Sequence, residues 1–512
     1  MYSGIYMLKN TFNNMLKSSI VKGTIILTIA GFITRIIGFF FRIFLTGVIG
    51  AEGLGIYQLI FPVQIVCYAL CTMGFELSIS KLVASSKKSP KEARAYLICG
   101  LIISVSISLV IAVIVYINAH YIAVRLLFES RCTILIKCMS ISIPLASIHS
   151  CICGYYLGLK RTNIPAISQL VEQTIRVLSI YIMVVLLTKN NTTVSPAVAV
   201  IGSTIGEIGS TLYCIINLKL SNKQLAHTRN NVHIFKNKTK QIFQLSIPLT
   251  LNKLMLSILQ SIQSALIPSM LVVYGISSSN ALSIYGIILG LVIPLVMFPS
   301  AIINSLSIIL LPAISEAESN NNSKKICLTI EKSVSFCMVF GILCSVIFYN
   351  YGVPISMMLF HADYSEYIKY LGIVCPFIYI ISTLASTING LGHTEITFIH
   401  SIISTIIQIL SIIFLIPRIG ISGFIIGQLV SCIISSVAHY ISMYRLIAFK
   451  ISLFKSCFLP TIILILLTYI FKCIFTMFIP INSIVSFIIS CMLICIIYVY
   501  ILLKQHIIEL NF

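Results

Sequence analysis

Charge is what this chain has least of. Of its 512 residues only 9% are Asp, Glu, Lys or Arg, against roughly 25% in a soluble globular protein. Such a chain cannot cover a water-facing surface. Carboxylates are scarcer still, with 13 Asp and Glu against 34 Lys and Arg and a net charge of +21. No Walker sequence, HExxH or GxSxG occurs, and no pair of CxxC units has zinc spacing. Phosphate-loop, zinc-peptidase and serine-hydrolase chemistry therefore have no support, and an enzyme, a metal or a cofactor is not expected. Short segments of alternating polarity, the signature of a membrane β-barrel, are missing too. The 17 cysteines are scattered through apolar runs, Cys151-x-Cys153 being the tightest cluster, and read as small apolar residues.

What is there is apolar. Hydrophobic residues make up 58% of the chain, and the mean hydropathy is +1.05. Runs long enough to cross a bilayer (about 20 residues) recur from end to end. They predict an all-α membrane protein of about 14 transmembrane helices, at 22–46, 55–84, 93–118, 132–158, 164–188, 196–219, 241–273, 281–313, 327–349, 366–390, 394–416, 421–447, 456–478 and 482–504. The first run follows Lys22 and contains Arg35, with no small-x-small site, so it is not read as a cleaved signal. Twenty-two Lys and Arg fall in the loops and ends on one side and six in those on the other. That bias places both termini in the cytoplasm of a multi-pass protein of the cell membrane. The positive charge is a matter of loops near anionic lipid, and nucleic acid is not an expected partner.

The chain repeats itself. IKCMSISIP (136–144) resembles IKYLGIVCP (368–376), and Leu178-Ser179-Ile180 recurs as Leu410-Ser411-Ile412 at the same offset. Leu54-Gly55-Ile56-Tyr57 likewise resembles Leu282-Ser283-Ile284-Tyr285. Helices 1–6 thus resemble helices 7–12 as a parallel repeat, the architecture of a transporter that rocks two lobes about a central site. The expected parts are a cytoplasmic segment (1–21), an N-lobe (22–219), a basic linker (220–240), a C-lobe (241–447) and two extra helices with a tail (448–512).

This 6 + 6 + 2 plan resembles the multidrug/oligosaccharidyl-lipid/polysaccharide exporter superfamily. The opening KGTIILTIAGFITRIIGFFFRIFLTGVIGAEGLGIYQLIFP (22–62), followed by MGFELSISKLVASSKK (73–88), resembles the stage V sporulation protein B family, a relative of the lipid II flippases. The resemblance implies alternating-access export of an undecaprenyl-pyrophosphate-linked peptidoglycan or polysaccharide precursor, in spore cortex synthesis. It also implies lipid-linked oligosaccharide and membrane lipids as partners, with cell-wall or spore-cortex enzymes nearby. After Pro62 the stretch VQIVCY carries no cation, where related lipid II flippases place an arginine.

Ionisable groups inside spans cost about 2.5–3.5 kcal/mol each on insertion scales and normally face a cavity or a partner. Six cations fall there, namely Arg35, Arg42, Lys81, Lys137, Arg176 and Lys253, against the carboxylates Glu76, Glu172 and Glu207. Glu172 and Arg176 stand at i, i+4 and can neutralise each other. Lys81 and Lys137 lie near helix ends and can snorkel. Arg35 and Arg42 sit about two turns apart on one face with no acidic partner on their own helix. With Lys253 of the equivalent seventh helix they are candidates for a cationic cavity that holds a pyrophosphate headgroup. Glu207, Glu76, Glu172 and Arg176 are candidates for ion coupling or charge balance. The competing expectation is a cation-coupled multidrug exporter, which would need unpaired carboxylates in its cleft.

Overall fold

The computed structural model describes residues 19–86, 89–190, 194–221, 232–449, 452, 454–478 and 484–505. Most of the expected N-terminal segment and the middle of the basic linker lie outside the described residues. Every regular element described is helical. The main ones are α1 (Ser19–Gln58), α2 (Ile60–Tyr68), α3 (Gly74–Ser85), α4 (Pro90–Ile117), α5 (Cys132–Gly158), α6 (Asn163–Lys189), α7 (Ala197–Ser221), α8 (Val232–Val273) and α9 (Ser278–Ile287). Beyond them come α10 (Ser300–Ser319), α11 (Ser323–Asn350), α12 (Ser365–Gly372), α13 (Cys375–Gly390), α14 (Thr394–Ile419), α15 (Ile421–Leu446), α16 (Leu459–Phe478) and α17 (Ile484–Lys504). Among the described residues, thirteen helices are long and apolar enough to cross a membrane, or fourteen if one bent pair counts as a span. The fold class is thus the expected one, an all-α multi-pass membrane protein.

Local chemistry sets the boundaries. Gly50 has φ 73° and ψ 172°, a conformation that glycine adopts without Cβ strain. There α1 turns a corner, and its last residues lead into α2 and α3. Ser89 caps α4 by accepting from the Glu92 amide, with Pro90 in the first turn. Asn322 caps α11 through the Lys325 amide at 3.0 Å. The single helix expected over 281–313 is instead interrupted between Met297 and Ser300, where Pro299 has no N–H to continue the ladder, and it runs on to Ser319. The helix expected over 366–390 bends by 43° between α12 and α13, just before Pro376.

The chain forms two compact units. The first comprises Met1–Ser269 and Ser278–Gly286, the second Met270–Ser277 and Ile287–Phe512. In lipid, helices associate through close packing and buried polar contacts rather than hydrophobic drive. The first unit does both. Phe75, Ile79, Val83, Leu97, Ile152 and Tyr156 form its largest described core. The Ser261 hydroxyl of α8 donates to the Pro62 carbonyl at 2.8 Å, and Lys238 Nζ lies 4.0 Å over the Tyr96 ring. The tail of α1 and α9 touch backbone to backbone. A Cβ at Gly55 would overlap the Leu282 carbonyl, and one at Gly286 would lie 2.5 Å from the Gly55 nitrogen.

The second unit packs α10, α11, α13 and α15 around Ile314, Ile330, Leu384 and Met443. The last two helices join α11 through Val339, Leu464, Ile494 and Tyr498, and the Tyr498 hydroxyl donates to the Val339 carbonyl at 3.3 Å.

Candidate functional site

All seven candidate residues fall in the first unit. The long apolar run of α1 carries the two arginines two turns apart. Arg35 is exposed and Arg42 is half-buried. Neither has an ion pair with a described residue. The charged or phenolic groups bearing on Arg42 are Tyr57 and a second guanidinium, Arg176. Lys253, on the exposed face of α8 beside Asn252, acts electrostatically on Glu76. An unpaired guanidinium at a membrane-embedded surface needs water or an anion, and Arg35 and Arg42 each offer five donors to one.

Behind this face lies a polar knot where α3, α5, α6 and α7 meet. Gly206 lets α7 approach α6, since a Cβ there would sit 2.8 Å from the Glu172 carbonyl oxygen. The next residue, Glu207, is only 6% exposed. Its carboxylate lies 3.0 Å from His149 Nδ1, and His149 Nε2 lies 3.0 Å from the Ser168 hydroxyl. Glu172 and Arg176 form an ion pair one turn apart on α6, while Arg176 Nε is buried without a hydrogen-bond partner. Glu76 accepts from the Ser150 hydroxyl at 3.4 Å, and its charge is felt by His149 and Lys253. The structure therefore brings Glu172, Arg176 and Glu207 together, sets Glu76 beside His149, and leaves Arg35 outside the knot.

Sequence reasoning missed His149. It lies within the apolar run LASIHSCICGYY, but a tally of permanent charges omits a neutral imidazole. Its neighbours create two metal-capable groups, His149 with Glu172 and Glu207, and His149 with Cys153 and Cys214. In each, the ligand atoms lie within 4.8 Å of one another. Arg176 already occupies Glu172 in the first group.

Outside the spans, Arg131 ties two segments together. Its Nε and Nη2 each lie 2.9 Å from the Glu129 carboxylate, and its Nη1 lies 2.8 Å from Glu52 at the corner of α1. The Arg131 guanidinium holds the Glu129 carboxyl below the usual carboxylate range, and Glu129 in turn raises Arg131. In the loop before α12, His361 adopts a left-handed φ of 53°. Asp363 is held low by its bonds to Ser365.

The family profile described as "Polysaccharide biosynthesis protein" matches residues 20–318. Stage V sporulation protein B of Bacillus subtilis (strain 168) is 24% identical over 449 residues, covering 86% of each chain. Among solved structures, the lipid II flippase MurJ in an inward closed conformation superposes with a TM-score of 0.68 at 18% identity, over 94% of this chain and 100% of that one. An inward-facing multidrug resistance MATE family transporter of the MOP superfamily superposes with a TM-score of 0.61 at 16% identity, over 80% of this chain and 95% of that one. At these identities the structural likeness establishes a shared fold.

Proposed function

Because this chain belongs to the polysaccharide biosynthesis protein family, we propose that it is a flippase. Its cargo is an undecaprenyl-pyrophosphate-linked peptidoglycan or polysaccharide precursor, and Arg35, Arg42 and Lys253 hold the headgroup. The observation that carries this reading is the pair of guanidiniums on α1 with no carboxylate partner among the described residues. A pyrophosphate presents several oxygens, and planar guanidinium forks bind such oxygens bidentately and stay charged at any working pH. A sporulation protein among the relatives and a lipid II flippase among the structural neighbours support a role in sporulation and a lipid-linked cargo.

In this reading the lobes at 22–219 and 241–447 alternate access around the cationic site, and the basic 220–240 segment joins them in the cytoplasm. Arg131 and its two carboxylates then lie at the outer face. Glu207, Glu76, Glu172 and Arg176 balance charge inside the first lobe. The test is complementation of a strain lacking the protein. Arg35→Ala should abolish function with normal membrane levels, and Arg35→Lys should restore part of it. Full complementation by Arg35→Ala overturns the headgroup assignment.

A second reading has its own observation. Glu207 and His149 form a buried acid–base pair, and the fold is shared with a multidrug transporter. A cation-coupled exporter of that kind would bind organic cations and lose transport in Glu207→Gln. The surplus of cations over carboxylates in the spans favours the anionic cargo.

A further inference from the structure

Two cysteines on the far side of the polar knot are used by neither reading. His149 and Cys153 stand one turn apart on α5, Cys214 faces them from α7, and Ser168 closes the group from the start of α6. The imidazole and both sulfurs lie within 4.8 Å of one another. The Ser168 hydroxyl lies 3.0 Å from His149 Nε2 and 3.6 Å from Cys153 Sγ. Cys214 is 0% and Cys153 7% exposed.

The other face of the imidazole orients the group. The Glu207 carboxylate lies 3.0 Å from His149 Nδ1, so with the Nδ1 proton shared with Glu207 it is Nε2, beside Ser168, that is left as the metal ligand. A carboxylate behind one ring nitrogen is the usual outer support of an imidazole that binds metal through the other. Two sulfurs and one imidazole nitrogen suit a borderline-soft ion, with tetrahedral edges of about 3.5–3.8 Å for metal–ligand bonds of about 2.0–2.3 Å. Since no two of these atoms are more than 4.8 Å apart, none is more than about 1 Å beyond those edges.

We propose that His149, Cys153 and Cys214 bind one zinc ion, with the Ser168 hydroxyl nearest the fourth position. Two thiol protons, and any proton on Nε2, leave to water as Zn2+ enters; from a neutral imidazole and two thiols the buried site then gains no net charge, whereas a monovalent copper ion would leave it one charge short. α5 ends at Gly158, five residues past Cys153, and α6 begins five residues before Ser168. The site is thus about 8 Å from the helix ends that carry Lys160 and Arg161, within reach of the aqueous phase there. Bound metal would staple α5 to α7.

The test uses purified, untagged full-length protein in detergent, stripped of metal and reloaded with Zn2+, Cu+ or Co2+. Wild type should retain one zinc per chain through gel filtration, and with Co2+ it should show thiolate-to-metal charge-transfer absorption. Cys214→Ser and His149→Gln should lose the band, Glu207→Gln should weaken affinity by about 10–100-fold, and Cys432→Ser in the second unit should change nothing. Copper retained without zinc, no charge-transfer band in wild type, or a band that survives Cys214→Ser would each overturn the proposal. If Cys214→Ser does not fold, His149→Gln and the wild-type spectrum decide. Because metal content is read without any lipid-linked substrate, the outcome is independent of the transport reading.

Discussion

A single methyl group at Gly55 should pry apart the contact between the tail of α1 and α9. The added Cβ would lie 2.8 Å from the Leu282 carbonyl carbon and overlap its oxygen. Both partners are backbone, so no rotamer change relieves the clash. The two segments must part until that gap approaches the 3.4 Å of ordinary contact. Overpacking of this kind costs about 1–3 kcal/mol. Replacing a helical glycine by alanine returns about 0.5–1 kcal/mol, which leaves a net loss of about 0.5–2 kcal/mol in the closed contact. Local opening at residues 51–58 and 278–286 should then rise about 2–30-fold, read by amide hydrogen exchange in nanodiscs. Gly47→Ala is the control, because nothing lies within 4 Å of its Cβ position. Unchanged exchange in Gly55→Ala, or an equal rise in Gly47→Ala, would refute the reasoning.

Glu172→Gln strips the counter-ion from Arg176, whose side chain is 20% exposed, and should destabilise the detergent-solubilised protein by about 3 kcal/mol. Glu172→Gln with Arg176→Met should recover most of that loss in thermal melts. Arg131→Gln should cost no more than about 1 kcal/mol, since half the arginine side chain is in solvent. Its mark is in the pH profile. Glu129 is depressed in the folded protein, so its pairing stabilises above the carboxylate's unfolded value of about 4 and is lost as pH falls through the lower folded value. That acid-side loss should be shallower in Arg131→Gln, and an identical profile would count against the tie.

Much of this was readable along the chain because helices write local patterns. Apolar runs gave the spans, and the i, i+4 spacing of Glu172 and Arg176 gave their ion pair. The break at Pro299 and the corner at Gly50 follow from the chemistry of single residues, yet the helix over 281–313 was expected unbroken, because such a proline can also be absorbed as a bend. The knot at His149 was not legible. Its partners come from α3, α6 and α7, and no spacing rule links residues on different helices. Cysteines 153 and 214 looked like two of seventeen small apolar residues, and only folding sets them beside an imidazole. The likeness of Leu54–Tyr57 to Leu282–Tyr285 was visible, whereas the backbone contact between these segments needed the fold.

Binding of substrate by the α1 arginines is most directly tested by native mass spectrometry of the purified protein in nanodiscs. Lipid II and a cationic dye would each be offered to wild type, Arg35→Ala and Lys253→Ala. An anion-binding flippase should retain lipid II as wild type, lose it in both variants and ignore the dye throughout. Dye retained without lipid II, or lipid II retained equally by all three proteins, would contradict a headgroup site on Arg35 and Lys253.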